Sequence, residues 1–340
     1  MAKIVTMGEM LLRLSPPDNE KFVQASKFNI CYGGSESNVA ISLANFGHQV
    51  KYITKVPDHS IGHSAVAELR KFNVDTSDIA YGGDRLGIYY IEIGSAHRPS
   101  NVVYDRRNSS MCSAATDDFD FDKIFQGADW FHFSGITPAI SEEAAKLTLE
   151  AVKAAKTHGL TVSCDLNFRK KLWNREKAQQ VMSRYMEYVD ICMGGREDAV
   201  KMLGFSLNKV NDDDTPDLEA YERMFREMAE KYNFRYVISS LRQSHTSSYN
   251  ELGGCIFDGE KLYKAETYHI EPMVDRVGGG DAFAAGVIAG LAEDKNPQQV
   301  IDFAVAASVL KHTIPGDINL VTKEEVENLI QGKGTGRVQR

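Results

Sequence analysis

Short apolar runs rich in β-branched residues alternate with longer amphipathic stretches through most of this 340-residue chain. That rhythm leaves few architectures open. Two neighbouring strands joined by a helix-length crossover run parallel, so repeated βα units build a largely parallel sheet with helices packed on its faces. The strand candidates are "KIVTMG" (3–8), "VKYITKV" (50–56), "DWFHFSG" (129–135), "LTVSCDL" (160–166), "YVDICMG" (188–194) and "RYVISS" (235–240). Apolar spacing predicts helices over 35–46, 61–72, 141–158, 174–187, 197–203 and 217–232. After residue 276 the pattern turns almost wholly helical, with segments at 280–292, 297–312 and 322–331.

Two stretches break the rhythm. Residues 11–32 and 86–107 alternate apolar and polar side chains with no helix following, as in "LGIYYIEIG", and read as antiparallel strands outside the main sheet. Such an appendage near the sheet's carboxyl edge would serve as a lid, and its exposed apolar strands favour a homo-oligomer formed through it. The expected organisation is one domain over 1–340 with this β insertion; the glycine-rich, basic residues 332–340 read as a flexible tail. The clusters "DDFDFD" (117–122) and "NDDDTPD" (211–217) lack the spacing of a calcium loop and read as loops capping the next helices.

Hydrophobic residues at 43% and charged residues at 25% belong to an ordinary globular chain with a large core. The net charge of −8 speaks against a nucleic-acid partner. No apolar run reaches the ~18 residues of a membrane span, and "MAKIVTMGEM" has neither the basic start nor the apolar stretch of a signal peptide. The five cysteines are an odd number with no CxxC pair, as expected of reduced, mostly buried thiols. Together these features predict a cytoplasmic protein without membrane contact.

The chemistry concentrates in "DRVGGGDAFAAG" (275–286). The first turn of a helix presents unpaired N–H groups and partial positive charge, which bind anions. Gly278, Gly279 and Gly280 would let a phosphate approach the backbone. A carboxylate beside that phosphate repels it unless it has a task, and Asp281 could accept the proton of a hydroxyl attacking the phosphate. The same residues also suit a plain helix cap. The chain contains neither GxxxxGK[ST] nor a strand-linked GxGxxG, so if a nucleotide binds, this helix start is the expected place.

"YGGSESNVAISLANFG" (32–47), taken with "DRVGGGDAFAAG", resembles the two signatures of the ribokinase-like, or PfkB, carbohydrate kinase family. The resemblance spans nearly the whole chain. It implies a three-layer α/β/α fold with a largely parallel central sheet and a small β-sheet lid, ATP as phosphoryl donor, and Mg2+ on the phosphates. It also implies Asp281 as catalytic base, Gly278, Gly279 and Gly280 as anion hole, and Gly33, Gly34 and Asn38 as sugar contacts. Within the family the chain is most similar to kinases of 2-keto-3-deoxygluconate, through "GEMLLRLSPP" (8–17), Tyr89-Tyr90, "YDRRNS" (104–109), "DLNFR" (165–169) and "PGD" (315–317). That similarity implies a sugar acid as the small-molecule partner, touched by Tyr90, Tyr104, Arg106, Arg169 and Asp317. Tyr90 is taken over Tyr89 and Arg106 over Arg107, neighbours that face opposite ways on a strand. Arginines suit an acid sugar because guanidinium grips carboxylate in a two-pronged fork.

The chain also departs from the family. Where many members carry Asn-x-x-Glu near the magnesium, it reads "GREDA", leaving Gly195 and, as a metal-side carboxylate, Asp198. "LRQSHTSSYNELGG" replaces a shorter glycine-containing turn on the nucleotide side. Two other readings therefore stand beside an acid-sugar kinase: a kinase for a neutral ketose such as fructose, and a sugar-binding sensor that kept the fold with little catalysis.

Overall fold

A computed structural model describes residues 1–206 and 217–333. In chain order its first half contains β1 (Lys3–Met7), β2 (Leu11–Ser15), β3 (Asn29–Gly33), α1 (Ser35–Asn45), β4 (Gln49–Ile53), β5 (Lys55–Val56), α2 (Ser60–Lys71), β6 (Ala80–Tyr81), β7 (Gly87–Glu92), β8 (Asn101–Asp105), α3 (Phe121–Phe125), β9 (Trp130–Ser134) and α4 (Glu142–Thr157). The second half contains β10 (Thr161–Asp165), α5 (Arg175–Met186), β11 (Ile191–Met193), α6 (Arg196–Leu203), α7 (Leu218–Tyr232), β12 (Tyr236–Ser244), β13 (Asn250–Phe257), β14 (Leu262–Lys264), β15 (Tyr268–Ile270), α8 (Gly279–Ala292), α9 (Pro297–Lys311) and α10 (Lys323–Ile330).

The main sheet runs β14-β13-β12-β11-β10-β9-β1-β4, with β15 also paired to β13. From β4 to β12 every pairing is parallel, and the edge beyond β12 is antiparallel. Period-two alternation splits the core. Ile4, Val50, Ile191 and Ile238 face α1, α8 and α9, while their neighbours Val5, Phe131, Cys192 and Val237 face α4, α5 and α7. Both faces are thus buried, as crossover helices require of a parallel sheet. The result is the expected three-layer α/β/α arrangement.

Helix caps follow the sequence closely. Asp120, Ser141, Asn174, Asp217, Asn296 and Thr322 each accept a backbone N–H of the helix they open. Both acidic clusters therefore contain a capping aspartate, Asp120 and Asp217; residues 211–216 of the second lie outside the described residues, as do 334–340 of the expected tail. Helices α1, α6 and α8 differ. Their caps are Gly34, Gly195 and Gly278, none with a capping side chain, and all three border the same cavity. Helix α8 packs closely on α9, because Gly286 lets α9 approach so near that a Cβ there would lie 2.6 Å from the Ala304 Cα.

The lid is a separate sheet in the order β3-β2-β7-β8. Its outer pairs are antiparallel, as expected, but β2 and β7 run parallel. The reason is the route of the chain, which leaves β3 and passes through α1, β4 and α2 before it returns at β7. One edge of the main sheet was not foreseen: β12 continues to Ser244 and turns into β13 as a long hairpin. The five cysteines are free, with Cys164, Cys192 and Cys255 buried.

Candidate active site

Beneath the lid, at the carboxyl ends of the parallel strands, lies a cavity of about 540 Å³. Ligands of open α/β sheets bind at this position, and the volume suits a small molecule. Gly278 takes φ 80° to open α8, and a Cβ there would sit 1.9 Å from the Asp317 carbonyl oxygen. Only glycine meets both demands. Gly280 has no neighbour within 4 Å of where its Cβ would be, so this side of the first turn stands open.

Asp281, in that first turn, accepts a 2.7 Å hydrogen bond from Asn38 Nδ2 and a 2.9 Å bond from Ser35 Oγ. Its carboxyl borders the cavity yet is hemmed in by protein. Burial, with smaller contributions from the charges of Asp317 and Glu36, pushes its pKa up to about 6 against the pull of the Asn38 and Ser35 donors. A carboxylate poised there can take a proton near neutral pH. Asn38 therefore holds the Asp281 carboxyl, a contact the sequence did not reveal. Gly34 lies on the cavity wall, where a Cβ would meet the Glu9 carbonyl oxygen at 2.1 Å; Gly33 is packed behind it, against Asp317.

The lid side of the cavity corrects one expectation. Tyr89, not Tyr90, is on the wall: its hydroxyl donates to Asp317 Oδ2 at 2.5 Å, while Tyr90 packs with Phe22 and Phe28 outside. The strand alternation allowed either residue, and the side of β7 that meets Asp317 decides it. Tyr104 and Arg106 both line the cavity, whereas Arg107 is exposed outside it. Arg106 is already paired with Glu9 through Nε at 2.8 Å. Asp317 is likewise engaged: Oδ1 accepts from Arg13 at 2.6 Å, and Arg13 also meets Asp275 at 2.7 Å. Arg169 is different. It is exposed on the cavity wall, and no described side chain forms an ion pair with it.

"DLNFR" builds the far wall. Asn167 adopts φ 43°, a left-handed turn that asparagine tolerates, so that Phe168 and Arg169 reach the cavity just past β10. Asp198 accepts N–H bonds from Phe168 and Gly195, each at 2.9 Å. Burial raises the Asp198 pKa against these donors. Asp165 is raised further, by burial and by the charges of Asp198 and Asp281. Among the described residues no three His, Cys, Asp or Glu side chains form a cage for a metal. An acidic pair whose charges repel still fits Mg2+ held through water, since that ion keeps most of its hydration.

Sequence reasoning passed over Ser35, Glu9, Glu36, Asp165 and Arg13. Arg13 had a readable sign: it is the inward residue between Leu11 and Ser15 on an alternating strand, and an inward charge must be paired.

Comparison with known proteins places this geometry. The model of the pfkB family carbohydrate kinases matches residues 1–324. The crystal structure of a 2-dehydro-3-deoxygluconokinase from Thermotoga maritima is 45% identical, covers 98% of this chain and 100% of its own, and superposes with a TM-score of 0.94. A 2-dehydro-3-deoxygalactonokinase from Haloferax volcanii is 32% identical over 336 residues, 98% of each chain. A 2-dehydro-3-deoxygluconokinase from Bacillus subtilis is 26% identical, covering 97% of this chain and 96% of its own.

Proposed function

Since this chain belongs to the pfkB family of carbohydrate kinases, we propose that it transfers the terminal phosphoryl group of ATP to a primary hydroxyl of 2-keto-3-deoxygluconate or its close acid-sugar relatives. One observation carries the reading. Asp281, raised to about 6 and fixed by Asn38, stands in the open first turn of a helix capped by glycine alone, inside the cavity that also presents the unpaired Arg169.

The sugar lies between the lid and α1, with its carboxylate on Arg169 and its ring against Tyr89 and Tyr104. Asp281 removes the hydroxyl proton as the oxygen attacks phosphorus, and the N–H groups of Gly279, Gly280 and Asp281 receive the charge of the transferring group. Asp317 and Arg106, both already bonded within the protein, shape the pocket through Tyr89 and Glu9. Asp165 and Asp198 would hold Mg2+ through water, where it would neutralise charge on the donor phosphates. The lid is seated over the site: Lys171, two residues past Arg169, donates to the Val102 carbonyl of β8 at 3.1 Å. Closure keeps water from competing as acceptor.

Ile30 and Val103, at 66% and 47% exposure, stand on the two edge strands of the lid. A second copy of the chain covers them in this reading, which sedimentation would test. No described helix is long and apolar enough to cross a membrane, and a cytoplasmic place follows from the use of ATP. The function is tested by ADP release over a sugar panel. Turnover of 2-keto-3-deoxygluconate or its galactonate epimer well above fructose supports it; fructose as the best substrate refutes the acid-sugar assignment, and binding without turnover refutes the kinase.

A further inference from the structure

Arg242 of β12 lies on the cavity wall, inside the stretch that departs from the family. One amino nitrogen, Nη2, meets Nε2 of His312 at 2.8 Å. The other, Nη1, is buried and without a partner among the described residues. His312 Nδ1 faces the Ser308 carbonyl, which fixes the ring proton there and leaves Nε2 as acceptor for the guanidinium. Burial and the charge of Arg242 hold the His312 pKa at about 3, so the ring is neutral. The ring also lies directly under the glycine run: a Cβ on Gly279 would come within 2.2 Å of His312 Cε1. The guanidinium is thereby seated beside the first turn of α8.

Arg276, a second cation on the same wall, is held by Ser244 Oγ at 3.2 Å. Burial and then the charge of Arg276 lower the Arg242 pKa to about 10, and no described carboxylate offsets them. Two unbalanced guanidiniums beside a helix N-terminus cost stability unless an anion joins them. The choice of anchor matters as well. A carboxylate at 312 would hold Arg242 equally well but cancel its charge, whereas neutral histidine fixes the geometry and leaves the charge free.

We propose that Arg242 binds the terminal phosphate of the donor nucleotide against the amides of Gly279–Asp281, with His312 as its positioning residue. The inference rests on the phosphoryl-transfer reading of the cavity. During transfer the bond from the terminal phosphorus to its bridging oxygen breaks, a bond to the sugar oxygen forms, and the hydroxyl proton passes to Asp281. Arg242 neutralises charge on the phosphoryl oxygens and keeps its own protons. It supplies as a fixed cation part of what Asn-x-x-Glu would organise through the metal.

The test is calorimetric affinity for ATP, ADP and adenosine, each with magnesium, alongside kcat. Arg242→Gln should weaken ATP about 10- to 100-fold, weaken ADP much less, leave adenosine unchanged, and lower kcat; Arg242→Lys should recover part of the loss. His312→Asp, which supplies a counter-charge without removing the arginine, should also weaken ATP relative to ADP, an effect a purely structural histidine would not produce. ATP and ADP affinities both within twofold of wild type in Arg242→Gln overturn the proposal. If the unaltered protein phosphorylates no sugar, the functional reading fails, while the ATP-to-ADP comparison still decides the role of Arg242.

Discussion

Asn38 Nδ2 donates to Asp281 Oδ2 at 2.7 Å across 243 positions of sequence. That bond joins the two glycine motifs and sets the direction of the Asp281 carboxylate. Its charge state sets the pH response: Asp281 titrates at about 6, and only the ionised form accepts a proton. kcat/KM for the sugar should therefore fall about tenfold per pH unit below that value. Asn38→Asp should move this limb to higher pH, because a second carboxylate disfavours ionisation of the first. The stability sign is the reverse of a salt bridge. With a folded pKa above the ordinary 3.8, the stabilising contribution of Asp281 is complete below that value and lost as pH rises through about 6. Thermal melts at pH 4 and pH 8 should show Asp281→Asn gaining on wild type only at the higher pH, by an amount on the order of 1–3 kcal/mol.

Arg13 ties the lid to the glycine loop. It and its partners Asp275 and Asp317 each keep only 3% side-chain exposure, and the two carboxylates outweigh the burial that opposes the arginine's charge. Arg13→Met leaves both carboxylates buried without their cation, which should cost about 3–5 kcal/mol in urea unfolding. A loss under 1 kcal/mol would show that the three groups can relax independently.

Tyr89 and Tyr90 are adjacent and should differ sharply. Tyr89→Phe removes the donor to buried Asp317, so it should raise KM for the sugar and cost about 1–3 kcal/mol of stability. Tyr90→Phe, in an aromatic cluster outside the cavity, should leave KM within twofold. Equal KM values in the two variants would place the sugar elsewhere.

Arg169→Ala should raise KM for an acid sugar at least about tenfold, the size of a lost hydrogen bond to a charged group, while hardly changing a neutral ketose. Equal losses for both would remove the carboxylate assignment.

Much of this was legible in the sequence. Continuous apolar runs located the strands of the parallel sheet, because both faces of that sheet are buried, and helical spacing located the major helices. Glycines 278–280 were readable as the start of a helix, and Gly278 caps α8 on the cavity wall. What stayed hidden depends on contacts between distant segments. Alternation limited the wall residue to Tyr89 or Tyr90, but the packing of β7 against Asp317 chose. Asn38 was readable as polar and near the site, not as the partner of Asp281. Arg242 gave no signal, because its meaning depends on a neutral histidine 70 positions away. The long β12–β13 hairpin was missed because its glycines and serines read as a loop.

The most direct test is Asp281→Asn, assayed for turnover of 2-keto-3-deoxygluconate and, separately, for binding of the same sugar. Loss of kcat by about 100- to 10,000-fold, with sugar affinity kept within a few-fold, is the predicted result. Turnover within tenfold of the unaltered protein would contradict the account, because the proton would then be leaving by a route that does not include this carboxylate.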